Sequence, residues 1–158
     1  MTEDLFTQPA QELLAPGAML LRGLALAGGR EEVVLAAIGD VIAQAPLRHM
    51  VTPGGFRMSV AMTNCGSLGW VTDRRGYRYA ACDPDSGLAW PPLPSCLLAL
   101  ATEAAAAAGF RDFVPDACLV NRYQPGARMT LHQDRNERDF SQPIVSLSLG
   151  LPATFLFG

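Results

Sequence analysis

Apolar and polar positions alternate along this chain with two different periods, and the switch between them divides it. After a proline-containing lead, Ala18-Met19-Leu20-Leu21 with Leu24 and Leu26 forms a short apolar run closed by Gly28-Gly29, the pattern of a strand. Glu31-Glu32 then open a stretch in which Val33, Val34, Ala37, Ile38 and Val41 recur at helical spacing. The two acids sit where the helix dipole favours them, and Pro46 sets the limit of the helix. Residues 52–94 are rich in Gly, Pro and Asp with short alternating runs such as 57–62, which predicts hairpins and loops rather than a second domain. A second helix fits 95–108, with Ser95 as N-cap, an alanine-rich body and Gly109 as its stop. From Asp116 onward the period falls to two and predicts strands over 117–123, 128–133, 143–150 and 153–157; Ile144-Val145-Ser146-Leu147-Ser148-Leu149 is the clearest alternation.

Helices first and strands gathered late imply an α+β chain with helices packed on a sheet-built core. The strand spacing suits a double-stranded β-helix of jelly-roll or cupin type. A complete jelly roll uses about eight strands, and half that number is visible, so the barrel is expected to be incomplete. Thr154-Phe155-Leu156-Phe157-Gly158 is apolar to its last residue, which leads to the expectation that the chain is the N-terminal part of a longer protein or a truncated product.

Composition narrows the class. At 158 residues, 49% hydrophobic and 17% charged, there is apolar material for one core and one domain over 1–158. Apolar runs are broken well before the roughly 18 residues that a membrane span needs, so no membrane role is expected. Met1-Thr2-Glu3-Asp4 is acidic where an export signal would be basic, which favours a cytoplasmic location. Cys65, Cys82, Cys96 and Cys118 are widely spaced, as expected of reduced, mostly buried thiols rather than a zinc knuckle. A net charge of −3 carries no global signal for a polyanion, and all 12 basic residues are arginine. Locally, Trp70-Val71-Thr72-Asp73-Arg74-Arg75-Gly76-Tyr77-Arg78-Tyr79 interleaves three arginines with three aromatics. Such a stretch suits a groove that follows phosphates while stacking bases; a solvated hairpin with aromatics on its buried face is the other reading.

The densest chemistry lies at His132-Gln133-Asp134. An imidazole and a carboxylate two residues apart on a strand point to one face, so both can ligate one metal ion. By chance an acid follows a histidine at that spacing about 0.2 times in such a composition, so the doublet gains weight only from its context. It follows the turn Gln124-Pro125-Gly126-Ala127 and precedes the polar loop Arg135-Asn136-Glu137-Arg138-Asp139. Neutral imidazole plus carboxylate is the donor set of the facial triad in non-haem Fe(II) oxygenases. The alternative is a histidine that bonds Asp134 or the backbone with no metal role.

Several blocks agree in order and spacing with one family. They are Met50-Val51-Thr52-Pro53-Gly54-Gly55-Phe56-Arg57-Met58-Ser59-Val60-Ala61-Met62-Thr63-Asn64-Cys65-Gly66, Leu68-Gly69-Trp70, Asp116-Ala117-Cys118-Leu119-Val120-Asn121-Arg122-Tyr123, His132-Gln133-Asp134 and 143–153. Together they cover nearly the whole chain and closely resemble the bacterial AlkB family, alkylation-repair dioxygenases dependent on iron and 2-oxoglutarate. The resemblance implies oxidative dealkylation of N-alkylated bases such as 1-methyladenine and 3-methylcytosine, with Fe(II), 2-oxoglutarate and O2 consumed in hydroxylating the N-alkyl carbon. Its partners would be single- or double-stranded alkylated DNA, with RNA as a further substrate, and a complete chain would be a monomer. It divides the chain into N-terminal helices and a nucleotide-recognition lid over 1–115 and the first half of the jelly-roll core over 116–158.

By this resemblance His132 and Asp134 are metal ligands, and Leu119, Asn121, Arg122 and Tyr123 belong to the 2-oxoglutarate pocket. Trp70 stacks on the flipped base. Thr52, Met62, Tyr77, Arg78, Tyr79 and Asn136 contact the substrate, Asn136 standing where the family often has aspartate. His49 occupies no family ligand position. The family's second metal histidine and its carboxylate-binding arginines lie beyond Gly158, so this chain alone is expected to bind iron weakly and turn over little. Two rival readings remain: a small-molecule hydroxylase of the same metal class, and a nucleic-acid-binding fragment that keeps the lid without chemistry.

Overall fold

The computed structural model describes residues 9–135 and 137–157. Strands β1 (Gln11–Ala15) and β2 (Ala18–Leu21) form an antiparallel hairpin, followed by a 3-10 turn and helix α1 (Arg30–Gln44). Strands β3 (Ala61–Gly66), β4 (Gly69–Asp73) and β5 (Gly76–Ala80) come next, then helix α2 (Ser95–Ala107) and strand β6 (Ala117–Arg122). Strand β3 pairs antiparallel with the distant β6, while β4 and β5 form a tight hairpin.

Both helices form as their spacing predicts. Helix α1 turns Val34 and Val41 inward, two turns apart on one face, with Ile38 half-buried between them. Helix α2 buries Leu97, Leu100 and Ala105. It ends in a Schellman arrangement: Phe110 N–H donates to Ala105 O at 2.8 Å and Gly109 N–H to Ala106 O at 3.0 Å. Gly109 at φ +97° supplies the left-handed residue that this ending needs. Ser95 is not the N-cap. Pro94, extended at φ −58° and ψ 137°, occupies that position and Ser95 is the first helical residue, with no side-chain capping bond.

The sheet β3–β6 divides the interior. On one face Met62 joins Met50, Val60, Val71 and Trp90 in a core beneath the β4–β5 hairpin, with Leu119 and Trp70 packed against it. On the other, Cys118 packs with Ala25, Val34, Leu97 and Leu100 under the helices. Residues Ala61 to Cys65 are all buried because β3 has a layer on each side.

Three of the four expected late strands are not strands here. Residues 128–133, 143–150 and 153–157 run without a described ladder partner, and no closed barrel is present among the described residues. Alternation makes a segment able to pair but cannot supply the neighbour whose N–H and C=O groups complete the ladder. Ile144 and Phe155 are accordingly exposed. The four cysteines are free; Cys65 is buried, Cys96 and Cys118 are half-buried and Cys82 is exposed, so the expectation of mostly buried thiols holds fully only at Cys65. No described helix is long and apolar enough to cross a membrane.

Candidate functional site

Ser59 fixes the entry to the His132–Asp134 segment. Its hydroxyl donates to Arg128 O at 2.9 Å and accepts from Arg128 N–H at 3.1 Å, so residues 127–129 are held against the β3 sheet with Ala127 and Met129 resting on its core. The chain then runs out to His132, not as a strand but as an extended, exposed segment. The period-two geometry expected from a ladder is replaced by local contacts. His132 Nδ1 lies 2.8 Å from Thr130 O, which can only accept, so Nδ1 carries the proton. Its Nε2 faces Asp134 Oδ1 at 3.6 Å, with both side chains about half exposed.

This donor pair fits a divalent cation. Metal–nitrogen and metal–oxygen bonds of about 2.1 Å each span donors up to roughly 4.2 Å apart, and the 3.6 Å separation lies inside that reach. The tautomer also suits a ligand, because a backbone carbonyl on Nδ1 leaves the Nε2 lone pair free, and it would be available to a metal ion. No third His, Cys, Asp or Glu joins the pair among the described residues.

The β4–β5 hairpin forms the other wall. Its register sets Trp70 opposite Tyr79 and Thr72 opposite Tyr77, so Trp70, Tyr77 and Tyr79 share one face. Trp70 and Tyr77 stack with centroids 5.7 Å apart and planes at 25°. Tyr79 reaches the loop that follows Asp134: its hydroxyl donates to Glu137 Oε1 at 2.7 Å. Burial, then that carboxylate, then the charge of Asp134 push the Tyr79 hydroxyl well above the ordinary phenol range. Glu137 received no role from sequence, and its only signal was its place in the polar loop.

Arg78 does not share this face. It lies opposite Val71 and grips Asp73 with both terminal nitrogens, at 2.9 and 2.7 Å. This ion pair ties the hairpin tip together, with the Arg78 side chain still about a third exposed. Arg78 and a backbone bond from Arg75 hold the Asp73 carboxyl down at about 2. Met62, expected from the resemblance to contact substrate, is wholly buried in the core beneath the hairpin. Thr52 closes the neighbouring loop, its hydroxyl accepting from Phe56 N–H at 3.2 Å.

On β6, Leu119 and Asn121 point to the face that also carries Met62 and Asn64, by register. Leu119 is packed on the core, whereas Asn121 and Arg122 at the strand end and Tyr123 beyond it are exposed. Partial burial of its ring raises the Tyr123 hydroxyl above the usual phenol value. His49, set aside from the metal site by sequence, binds Met58 O through Nδ1 at 2.9 Å. Asn136 lies outside the described residues.

Comparison with known proteins supplies the remaining constraint. The family model described as 2OG-Fe(II) oxygenase superfamily matches residues 17–158. The alpha-ketoglutarate-dependent dioxygenase AlkB of Salmonella typhimurium is 55% identical over 157 residues, covering 98% of this chain and 72% of that protein. The protein of the same name from Escherichia coli matches to the same extent. The human nucleic acid dioxygenase ALKBH1 is 40% identical over 92 residues, 58% of this chain and 23% of its own length.

Proposed function

Because the chain belongs to the 2OG-Fe(II) oxygenase superfamily, we propose that it works as an iron- and 2-oxoglutarate-dependent dioxygenase that removes alkyl groups from nucleic-acid bases on a jelly-roll scaffold of the double-stranded β-helix type. The observation that carries this reading is the aromatic face of Trp70, Tyr77 and Tyr79 standing, through Tyr79 and Glu137, against the loop that bears His132 and Asp134.

His132 Nε2 and Asp134 Oδ1 would hold the ion, while Asn121, Arg122 and Tyr123 at the exposed end of β6 offer amide, guanidinium and phenol groups to the oxygens of 2-oxoglutarate. When bound, Fe(II) with 2-oxoglutarate and O2 supplies the oxidant that replaces an N-alkyl C–H by C–OH. The resulting hemiaminal loses the carbon as an aldehyde and the base regains its N–H or lone pair. The methyl on a pairing edge is out of reach inside a duplex, so the base must be extruded or already single-stranded. Trp70 provides a flat, half-buried ring for it. A methylated adenine or cytosine is cationic, and both the ring face and the carboxylates of Asp134 and Glu137 favour positive charge. Tyr77, half exposed, extends the stack toward the strand. These features favour a nucleic acid over a small metabolite.

The test is formaldehyde release from a 1-methyladenine oligonucleotide with Fe(II) and 2-oxoglutarate, at enzyme equal to substrate so that a single turnover is visible. Release that vanishes in His132→Ala and Asp134→Ala is expected. Release unchanged by either substitution sinks the metal assignment. Methyl-dependent binding that survives chelation, with no formaldehyde at all, would point instead to a binding module; the absence of a third ligand among the described residues is what keeps that reading open.

A further inference from the structure

The side chain of Asn64 is wholly buried, yet it is used by nothing in the chemistry above. Its Oδ1 accepts from Trp70 N–H at 2.9 Å and its Nδ2 donates to Trp70 O at 2.9 Å. Strand β4 belongs to the hairpin sheet and β3 to the sheet with β6, and no ladder joins them. The amide of Asn64 therefore does for one residue what a paired strand would do, presenting an acceptor and a donor to the peptide groups of Trp70 alone. The neighbourhood leaves it no latitude: a Cβ on Gly69 would lie 2.8 Å from Asn64 Cβ and 2.4 Å from the Trp90 ring. With both backbone groups of Trp70 fixed, Asn64 sets where the indole's Cα–Cβ bond starts and points, and stacking on Tyr77 and packing on the core complete the ring's pose.

We propose that Asn64 is a positioning residue for base recognition, setting Trp70 in the pose that receives an alkylated base; this rests on the function proposed above. It touches no substrate and acts through Trp70. Asn64→Leu deletes both bonds at similar size. The experiment compares this variant with Trp70→Ala and with the parent chain by near-ultraviolet circular dichroism and by fluorescence-anisotropy titration of labelled single-stranded oligonucleotides, with and without 1-methyladenine. Far-ultraviolet dichroism and thermal melting report the fold.

The expected result is a folded variant that loses the near-ultraviolet signal which Trp70→Ala also loses. Its affinity for the methylated strand should fall roughly tenfold, the scale of one base–aromatic stack, and Asn64→Leu combined with Trp70→Ala should be no weaker than Trp70→Ala alone. A folded variant with the parent's near-ultraviolet signal, or with the parent's preference for the methylated strand, overturns the proposal. If Asn64→Leu does not fold, Asn64→Asp takes its place, keeping the oxygen that accepts from Trp70 N–H while altering the bond to Trp70 O; the same two readings decide. Should the parent bind both oligonucleotides alike, the function proposed above falls, and the near-ultraviolet comparison alone decides the role of Asn64.

Discussion

At the scale of single residues, the site owes its character to which groups are already engaged. Thr130 O settles the His132 tautomer, and Asp73 engages Arg78 on the face of the hairpin opposite Trp70 and Tyr79. The Asp73–Arg78 pair has a pH signature. Its carboxyl titrates at about 2 when folded against an ordinary 3.8, so its contribution to the hairpin is in place above pH 3.8 and is lost as pH falls toward 2. Carboxyl-resolved NMR titration should find the Asp73 midpoint near that lower value, with hairpin shifts moving in step. Arg78→Ala should carry the midpoint up toward 3.8, since its guanidinium is the first cause of the depression. A midpoint that ignores the substitution would remove Arg78 from the account. The candidates His132, Asp134, Trp70 and Tyr79 were all visible in the chain. The engagement of Arg78 was not, because a residue's partner depends on strand register and not on its neighbours in sequence.

At the scale of elements, the hairpin β4–β5 is placed by close approach as much as by hydrogen bonds. Gly69 opens β4 under the Trp90 ring, with no room for a side chain. Trp90 is itself fastened by its indole N–H to Ala80 O at 2.9 Å, at the far end of β5. Gly69→Ala should therefore cost about 1–3 kcal/mol by overpacking, read as a lower urea midpoint with unchanged slope, and should perturb Trp90 fluorescence. A variant as stable as the parent would show that the ring can move aside freely. Both helices and this hairpin were legible in the pattern because each is specified locally, by helical spacing with a proline or glycine stop or by alternation around a tight turn. The segment bearing His132 was misassigned as a strand for the converse reason: its alternating side chains fit a ladder that no described neighbour provides.

For the molecule as a whole, the sheet β3–β6 is the shared floor of two cores, one under the hairpin and one under the helices. Met62→Ala truncates the largest fully buried side chain of the first core and should cost about 2–5 kcal/mol. Because the cores share a sheet, tryptophan fluorescence from the hairpin side and far-ultraviolet dichroism from the helices should melt together at the lower temperature. Two separated transitions would show that the cores unfold independently. What the chain by itself determined was the set of chemical groups, the two helices, the hairpin and the likeness to an oxygenase family, since composition and short-range periodicity are written residue by residue. Only the tertiary structure decided that Met62 is core, that Arg78 pairs with Asp73, and that Asn64 holds Trp70. Met62 is set by the pairing of β3 with the distant β6, where it lies opposite Asn121; Arg78 with Asp73 and Asn64 with Trp70 are near in sequence but meet only through the hairpin register and the approach of β4 to β3, and a linear pattern carries no record of either.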